Sequence, residues 1–111
     1  MARGKRSAIL VGDIGGTNTR LAILEMVKGQ FNFVAEQTFP SREEPSLESA
    51  LRKFLSKPIH PITRACLGVA GPVRSGRCEA TNLPWVIDSQ KIAQQLNLSR
   101  VGLINDWEAG A

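Results

Sequence analysis

Short apolar runs separated by polar and glycine-containing turns dominate the first forty residues. Residues 8–13 and 21–26 are two such runs, and residues 31–35 begin with the apolar and polar alternation of a strand that continues to Phe39. The turns between the runs are tight, so the three strands are predicted to form an antiparallel meander.

The hydrophobic period changes to a helical one after Ser46. Apolar side chains then recur on one helical face, at Leu47, Ala50, Leu51, Phe54 and Leu55. Pro58 and Pro61 are expected to end this helix. Residues 64–70 follow as a predicted buried strand, which Gly71 and Pro72 stop.

The last third of the chain continues the alternation of strands and helices. A short strand is predicted near residues 78–81, and Asp88 is predicted to cap a helix that runs to about Leu96, with Ile87 and Ile92 as its hydrophobic staple. Residues 101–105 form a further predicted strand, and residues 107–111 resemble the first turn of another helix. The whole pattern predicts an α/β fold with a mixed sheet and flanking helices.

Composition is that of one globular domain. The chain has 111 residues, of which 42% are hydrophobic and 22% charged. No apolar stretch approaches the roughly 18 to 20 residues of a membrane helix, and no signal-peptide pattern is present. Cys66 and Cys78 lack metal-site spacing and are expected to be reduced thiols. We therefore expect a cytoplasmic protein without a membrane partner.

The net charge of +4 raises the question of nucleic-acid binding. Arg3, Lys5 and Arg6 supply three of these charges, so the excess lies in a basic leader at residues 1–7 that we expect to be disordered. A nucleic-acid interface would need a basic face on the folded part. No nucleic-acid partner is therefore expected.

The candidate chemistry lies in the turn between the first two strands. Gly15 and Gly16 permit positive φ and let backbone N–H groups approach a ligand closely, while Asp13 can hold a hydrated divalent cation and Thr17 can donate to a phosphate oxygen. The alternative is a plain hairpin bend that Asp13 caps. The spacing matches neither a Walker loop nor the dinucleotide fingerprint.

Four blocks of sequence, in this order along the chain, resemble bacterial glucokinases. They are residues 13–22, 68–73, 81–85 and 103–109. The resemblance implies the actin-like (ribonuclease H-like) sugar kinase fold, in which two α/β domains close over ATP and a hexose. Because family members are considerably longer, residues 8–111 would be the small N-terminal domain of such a kinase, and the large domain would be absent from this chain.

On the phosphate side, the resemblance implies a role for each residue of the first turn. Gly15, Gly16, Thr17 and Asn18 would line the phosphates of ATP, and Asp13 would act on Mg²⁺ through water. ATP and Mg²⁺ are therefore the expected cofactors.

On the sugar side, the resemblance implies that Asn105 hydrogen-bonds sugar hydroxyls and that Asp106 is the catalytic base for the 6-hydroxyl. Asn82 would help to shape the sugar pocket. Taken on its own, Asp106 could instead be the N-cap of a following helix, with Glu108 favouring the positive helix end. A turn role before Pro84 is the alternative for Asn82.

The expected function is ATP-dependent phosphorylation of glucose, or a related hexose, at its 6-hydroxyl, with the 111-residue chain inactive by itself. Another hexose or amino-sugar kinase of the superfamily is the runner-up. A non-catalytic sugar- or nucleotide-binding actin-like domain is the third possibility. Whether the full-length enzyme is a homodimer is left open by the sequence. Arg20 could contact a phosphate or form a salt bridge within the sheet. Trp85 is expected to pack under its loop rather than stack on sugar.

Overall fold

A computed structural model describes residues 8–56, 62–80 and 83–105 of the chain. Its main sheet has five strands in the order β3-β2-β1-β4-β8. These strands are β1 (Ala8–Ile14), β2 (Asn18–Val27), β3 (Gln30–Pro40), β4 (Ile62–Val69) and β8 (Gly102–Asn105). The predicted leader at residues 1–7, the helix stop at Pro58 and Pro61 and the helical turn at residues 107–111 lie outside the described residues.

The predicted meander is confirmed. β1 pairs antiparallel with β2, and β2 pairs antiparallel with β3 through a register shift next to Ile23. β4 then pairs parallel with β1, and β8 parallel with β4. The sheet is therefore mixed, with three parallel strands whose carboxyl ends lie at the same edge.

A second, smaller sheet was only partly predicted. It consists of β5 (Val73–Arg74), β6 (Arg77–Glu79) and β7 (Val86–Asp88), whereas the sequence indicated one strand near residues 78–81. The turn between β5 and β6 places Ser75 at φ 51° and Gly76 at φ 74°. Strands of two or three residues give too short an alternation to be detected by periodicity.

The two predicted helices are confirmed as α1 (Leu47–Phe54) and α2 (Ser89–Leu96). Ser46 caps α1 by accepting a hydrogen bond from the N–H of Ser49 at 3.1 Å, and Asp88 caps α2 by accepting one from the N–H of Gln90 at 2.9 Å. A single turn of 3-10 helix at Ser41–Glu43, which was not predicted, connects β3 to the start of α1.

Both helices pack on one face of the main sheet. The connections from β1 to β4 and from β4 to β8 step in the same direction, and right-handed crossovers of that kind bring their helices to the same side. The buried side chains of α1, α2 and the small sheet join those of the strands in one core cluster. The opposite face of the sheet is open: Phe31 is 54% exposed and Phe33 is 70% exposed.

No helix in the described part of the chain is long and apolar enough to cross a membrane.

Candidate active site

The candidate site lies where the three parallel strands end. Ile14 of β1, Val69 of β4 and Asn105 of β8 are aligned side by side in the register of the sheet. Neighbouring strands are about 4.8 Å apart, so the ends of β1 and β8 are separated by roughly 10 Å across β4. Ligands of α/β sheets commonly bind at such carboxyl ends.

The turn that follows β1 is closed by its own backbone. The N–H of Gly15 donates to the carbonyl oxygen of Asn18 at 2.9 Å, and Thr17 and Asn18 are exposed. In the described part of the chain, the N–H groups of Gly16 and Thr17 have no hydrogen-bond acceptor. The turn therefore presents, at the edge of the sheet, two N–H donors that no described residue accepts from.

The paired glycines do not use positive φ. The glycines with positive φ among the described residues are Gly29, Gly71 and Gly76. At Gly15 an added Cβ would lie 3.2 Å from the carbonyl oxygen of Asn18, which is a tight contact. Close packing within the turn, rather than the left-handed region expected from the sequence, accounts for this glycine.

Ser41 is hydrogen-bonded to two backbone carbonyl groups of the turn. Its N–H donates to the carbonyl oxygen of Thr17 at 2.9 Å, and its hydroxyl donates to the carbonyl oxygen of Gly15 at 2.7 Å. The same hydroxyl lies 2.8 Å from Oγ1 of Thr19, and both side chains are fully buried. Two carbonyl groups of the turn are thus fixed toward the interior.

Asp13 lies on the open face of the sheet. It is exposed, and its neighbours in register are Arg20 of β2 and Gly68 of β4. A shallow cavity of about 220 Å³ on this face has Asp13, Arg20 and Glu36 in its lining. No group of three or more potential metal ligands is found among the described residues. Among the described residues, Asp13 therefore has no second protein ligand that would complete a metal site with it.

Arg20 forms an ion pair within the sheet. Its Nε lies 3.6 Å from Oε2 of Glu36 on β3, and the two side chains are 63% and 50% exposed. Of the two roles that the sequence left open for Arg20, this contact matches the salt bridge.

The side of the site that the sequence predicts to bind sugar is described in part. Asn105 is the last residue of β8, is half-buried and shares the core-facing side of the sheet with Val69. Asn82 and Asp106, the other predicted residues of this side, lie outside the described residues. Their roles stay predictions.

Trp85 packs as expected from the sequence. It is 3% exposed, and its indole N–H donates to the carbonyl oxygen of Glu44 at 3.0 Å. This hydrogen bond joins the loop before β7 to the segment that carries Ser41.

Glu44 is buried and satisfied by two donors. Nζ of Lys53 lies 2.9 Å from Oε2, and Oγ of Ser49 lies 3.0 Å from Oε1. The hydrogen bond from Lys53 holds the pKa of the Glu44 carboxyl below its ordinary value, with Ser49 adding to the effect and burial opposing it. The segment from Ser41 to Glu44 is therefore fixed to α1 as well as to Trp85.

Sequence reasoning missed Ser41 and Glu44. The partners of the Ser41 side chain are 22 and 26 positions away, and the residue following a strand carries no local pattern that reveals such contacts. No signal in the sequence alone would have found them.

Comparisons with known proteins agree on one family. The chain matches the family profile described as Glucokinase over residues 10–111. A curated glucokinase of a Nostoc species is 37% identical over 105 residues, which cover 91% of this chain and 30% of that protein. The chain thus spans about a third or less of the length of the relatives it matches.

Solved structures show the same likeness. The crystal structure of a glucokinase from an Antarctic psychrotroph is 40% identical, with a TM-score of 0.78 over 92% of this chain and 33% of that one. The glucokinase of Balamuthia mandrillaris, solved in complex with glucose, has a TM-score of 0.66 at 22% identity, covering 97% of this chain and 32% of that one. These similarities confirm the predicted actin-like sugar kinase fold.

Proposed function

We propose, from the premise that this chain belongs to the glucokinase family, that it is the N-terminal part of an enzyme that phosphorylates glucose at the 6-hydroxyl with ATP. The observation that carries the proposal is the family match over residues 10–111, which includes both the first turn and the Asn105-Asp106 pair. Residues 8–111 would then be the small domain of a two-domain kinase. The free thiols Cys66 and Cys78 suit a cytoplasmic location.

The turn at Gly15–Asn18 would bind the phosphates of ATP. The free N–H groups of Gly16 and Thr17 support this role, because backbone donors in a turn form concave sites for anions. The exposed hydroxyl of Thr17 and the amide of Asn18 add donors beside them. Phosphoryl transfer needs mainly such positioning and charge stabilisation from the protein.

The residues present fit a magnesium ion that the protein would contact through bound water. Mg²⁺ keeps several of its waters and is commonly bound through one or two carboxylates together with substrate phosphates. Asp13 is one exposed carboxylate one residue before the end of β1, beside the turn. When bound, Mg²⁺ would supply charge neutralisation on the transferring phosphate. Asp13 would orient its water shell.

Glucose would bind at the end of β8. Asn105 would hydrogen-bond sugar hydroxyls, with Asn82 shaping the pocket, and Asp106 would accept the proton of the 6-hydroxyl as that oxygen attacks phosphorus. The separation of roughly 10 Å between the ends of β1 and β8 supports this division, because it leaves room for a phosphate and a hydroxymethyl group between the two sides.

The phosphate role is tested by Gly16→Val in the full-length protein. A side chain at Gly16 would keep the phosphates away from the backbone donors, so KM for ATP should rise much more than KM for glucose. Gly102→Val is the matched control, because an added Cβ there meets nothing closer than 3.8 Å and the residue begins β8, far from the turn. If a folded Gly16→Val variant has the wild-type KM for ATP and for glucose, the turn does not bind phosphate and is only a hairpin bend.

A further inference from the structure

Within residues 8–56, 62–80 and 83–105, Ser41 makes its polar contacts with the turn proposed to bind ATP and with β2, which follows that turn. The one other contact is the hydrogen bond that its carbonyl oxygen accepts from the N–H of Glu44. Through its N–H and hydroxyl, Ser41 reaches the carbonyl oxygens of Thr17 and Gly15, at 2.9 and 2.7 Å. The carbonyl of Gly15 cannot donate, so the single proton of the Ser41 hydroxyl is committed to it. Thr19 must then donate to Ser41 across their 2.8 Å contact. We call this arrangement of Ser41, Gly15, Thr17 and Thr19 the serine clamp.

Ser41 is itself held in place by the segment that follows it. The N–H of Glu44 donates to the carbonyl oxygen of Ser41 at 3.1 Å, and the side chain of Glu44 is held by Lys53 and Ser49 on α1. Trp85 donates to the carbonyl oxygen of Glu44. Ser41 therefore has little freedom to follow a moving turn, and the turn is fixed relative to α1 and the core.

The turn itself has little stiffness of its own. Two adjacent glycines have the widest conformational freedom of any residue pair, and a loop that must be ordered on binding loses affinity. The serine clamp turns the carbonyl groups of Gly15 and Thr17 inward, while the N–H groups of Gly16 and Thr17 stay free. A turn held in this way presents its donors before the ligand arrives.

We propose that Ser41 is a positioning residue for the phosphate donor, which it serves by preorganising the turn without touching ATP. The inference rests on the proposed function, since it takes the turn as the phosphate site. It concerns a residue outside the four blocks that carry the resemblance to the glucokinase family, none of which includes position 41.

The experiment is steady-state kinetics of Ser41→Ala in the full-length protein, with ATP and glucose varied separately. Loss of the hydroxyl frees the carbonyl of Gly15 and the hydroxyl of Thr19. Because displacement of a positioning group by about 1 Å can cost up to about 100-fold, KM for ATP should rise about tenfold. KM for glucose should stay within about twofold.

Ser46→Ala is the matched control. It makes the same chemical change and removes one hydrogen bond, from the N–H of Ser49, but at the cap of α1 rather than at the turn. It should lower the melting temperature and leave KM for ATP within about twofold of the wild type. An equal rise of KM for ATP in both variants, or none in Ser41→Ala, would overturn the proposal.

Two substitutions at Thr19 keep the question decidable if Ser41→Ala does not fold. Thr19→Val keeps the shape of the side chain but removes the hydroxyl that donates to Ser41, so KM for ATP should rise by about threefold. Thr19→Ser keeps a hydroxyl at this position, so its KM for ATP should equal that of the wild type. Equal constants in these two variants would refute the serine clamp. If the wild-type protein consumed no ATP with glucose, the proposed function would fail first, so the two failures are distinguishable.

Discussion

Replacing the buried Glu44 by glutamine is expected to destabilise the full-length protein at neutral pH but much less in acid. The carboxylate accepts from Lys53 at 2.9 Å and from Ser49 at 3.0 Å, and the side chain of Glu44 is 6% exposed. A glutamine of the same shape removes the charge and replaces one acceptor oxygen by an NH₂ group, so one donor keeps only a neutral acceptor and the other loses its acceptor.

The magnitude follows from these two contacts. A hydrogen bond to a charged group contributes about 1.5 to 3 kcal/mol. The Lys53 side chain is 59% exposed, so solvent screening reduces its share, and burial of the carboxylate opposes the gain. We therefore expect Glu44→Gln to lower the free energy of unfolding by about 1 to 2 kcal/mol near neutral pH.

The pH dependence has a definite sign. The pKa of Glu44 is lowered in the folded protein from an ordinary value of 4.5, chiefly by the hydrogen bond from Lys53. A lowered folded-state pKa means that the stabilisation is fully present above pH 4.5 and is lost as the pH falls from there through the lowered value. The difference between wild type and Glu44→Gln should shrink in that acidic range.

The assay is urea unfolding followed by tryptophan fluorescence, at neutral pH and below pH 4.5. Glu36→Gln is the matched control, because it makes the same change in an ion pair whose partners, Arg20 and Glu36, are 63% and 50% exposed. It should change the free energy of unfolding by less than about 0.5 kcal/mol. Equal losses in the two variants, or a Glu44→Gln loss that does not shrink in acid, would refute the reasoning.

Two further predictions concern catalysis. Residues 1–111 alone should show no glucose-dependent ATP turnover, because the proposed reaction needs both domains around the substrates; clear turnover by the purified chain in a coupled assay would contradict this. In the full-length protein, Asp106→Asn should lower turnover by about 10²- to 10⁴-fold with a far smaller change in KM for glucose, since asparagine cannot take a proton but can still cap a helix and bind a hydroxyl. A folded Asp106→Asn variant with at least half of wild-type turnover would remove the residue from the catalytic role.

The elements that could be predicted from the sequence are those with sustained periodicity. The apolar runs of β1, β2 and β4 and the apolar face of α1 belong to elements of seven or more residues, so enough of each pattern is present to tell a strand from a helix. The cap at Asp88 was also readable, because capping depends on residues that are adjacent in sequence.

The contacts that fix the site were not predictable in the same way. The hydrogen bond from Trp85 to Glu44 spans 41 positions, and the contact between Ser41 and Gly15 spans 26. Such contacts arise only when the whole chain has folded. Gly12 shows the same limit: nothing in the sequence indicates its neighbours, but an added Cβ would lie 2.7 Å from Cδ2 of Leu67, so the Leu67 side chain on β4 packs directly over this glycine.

The central claim is that this chain belongs to an enzyme that transfers phosphate from ATP to the 6-hydroxyl of glucose. The most direct measurement is ADP formation by the full-length protein with a panel of hexoses and amino sugars, together with identification of the phosphorylated product by NMR. We predict ADP and glucose 6-phosphate in equal amounts, with the highest kcat/KM for glucose. ADP formation that is independent of sugar, no turnover at all, or a clear preference for an amino sugar would contradict the claim.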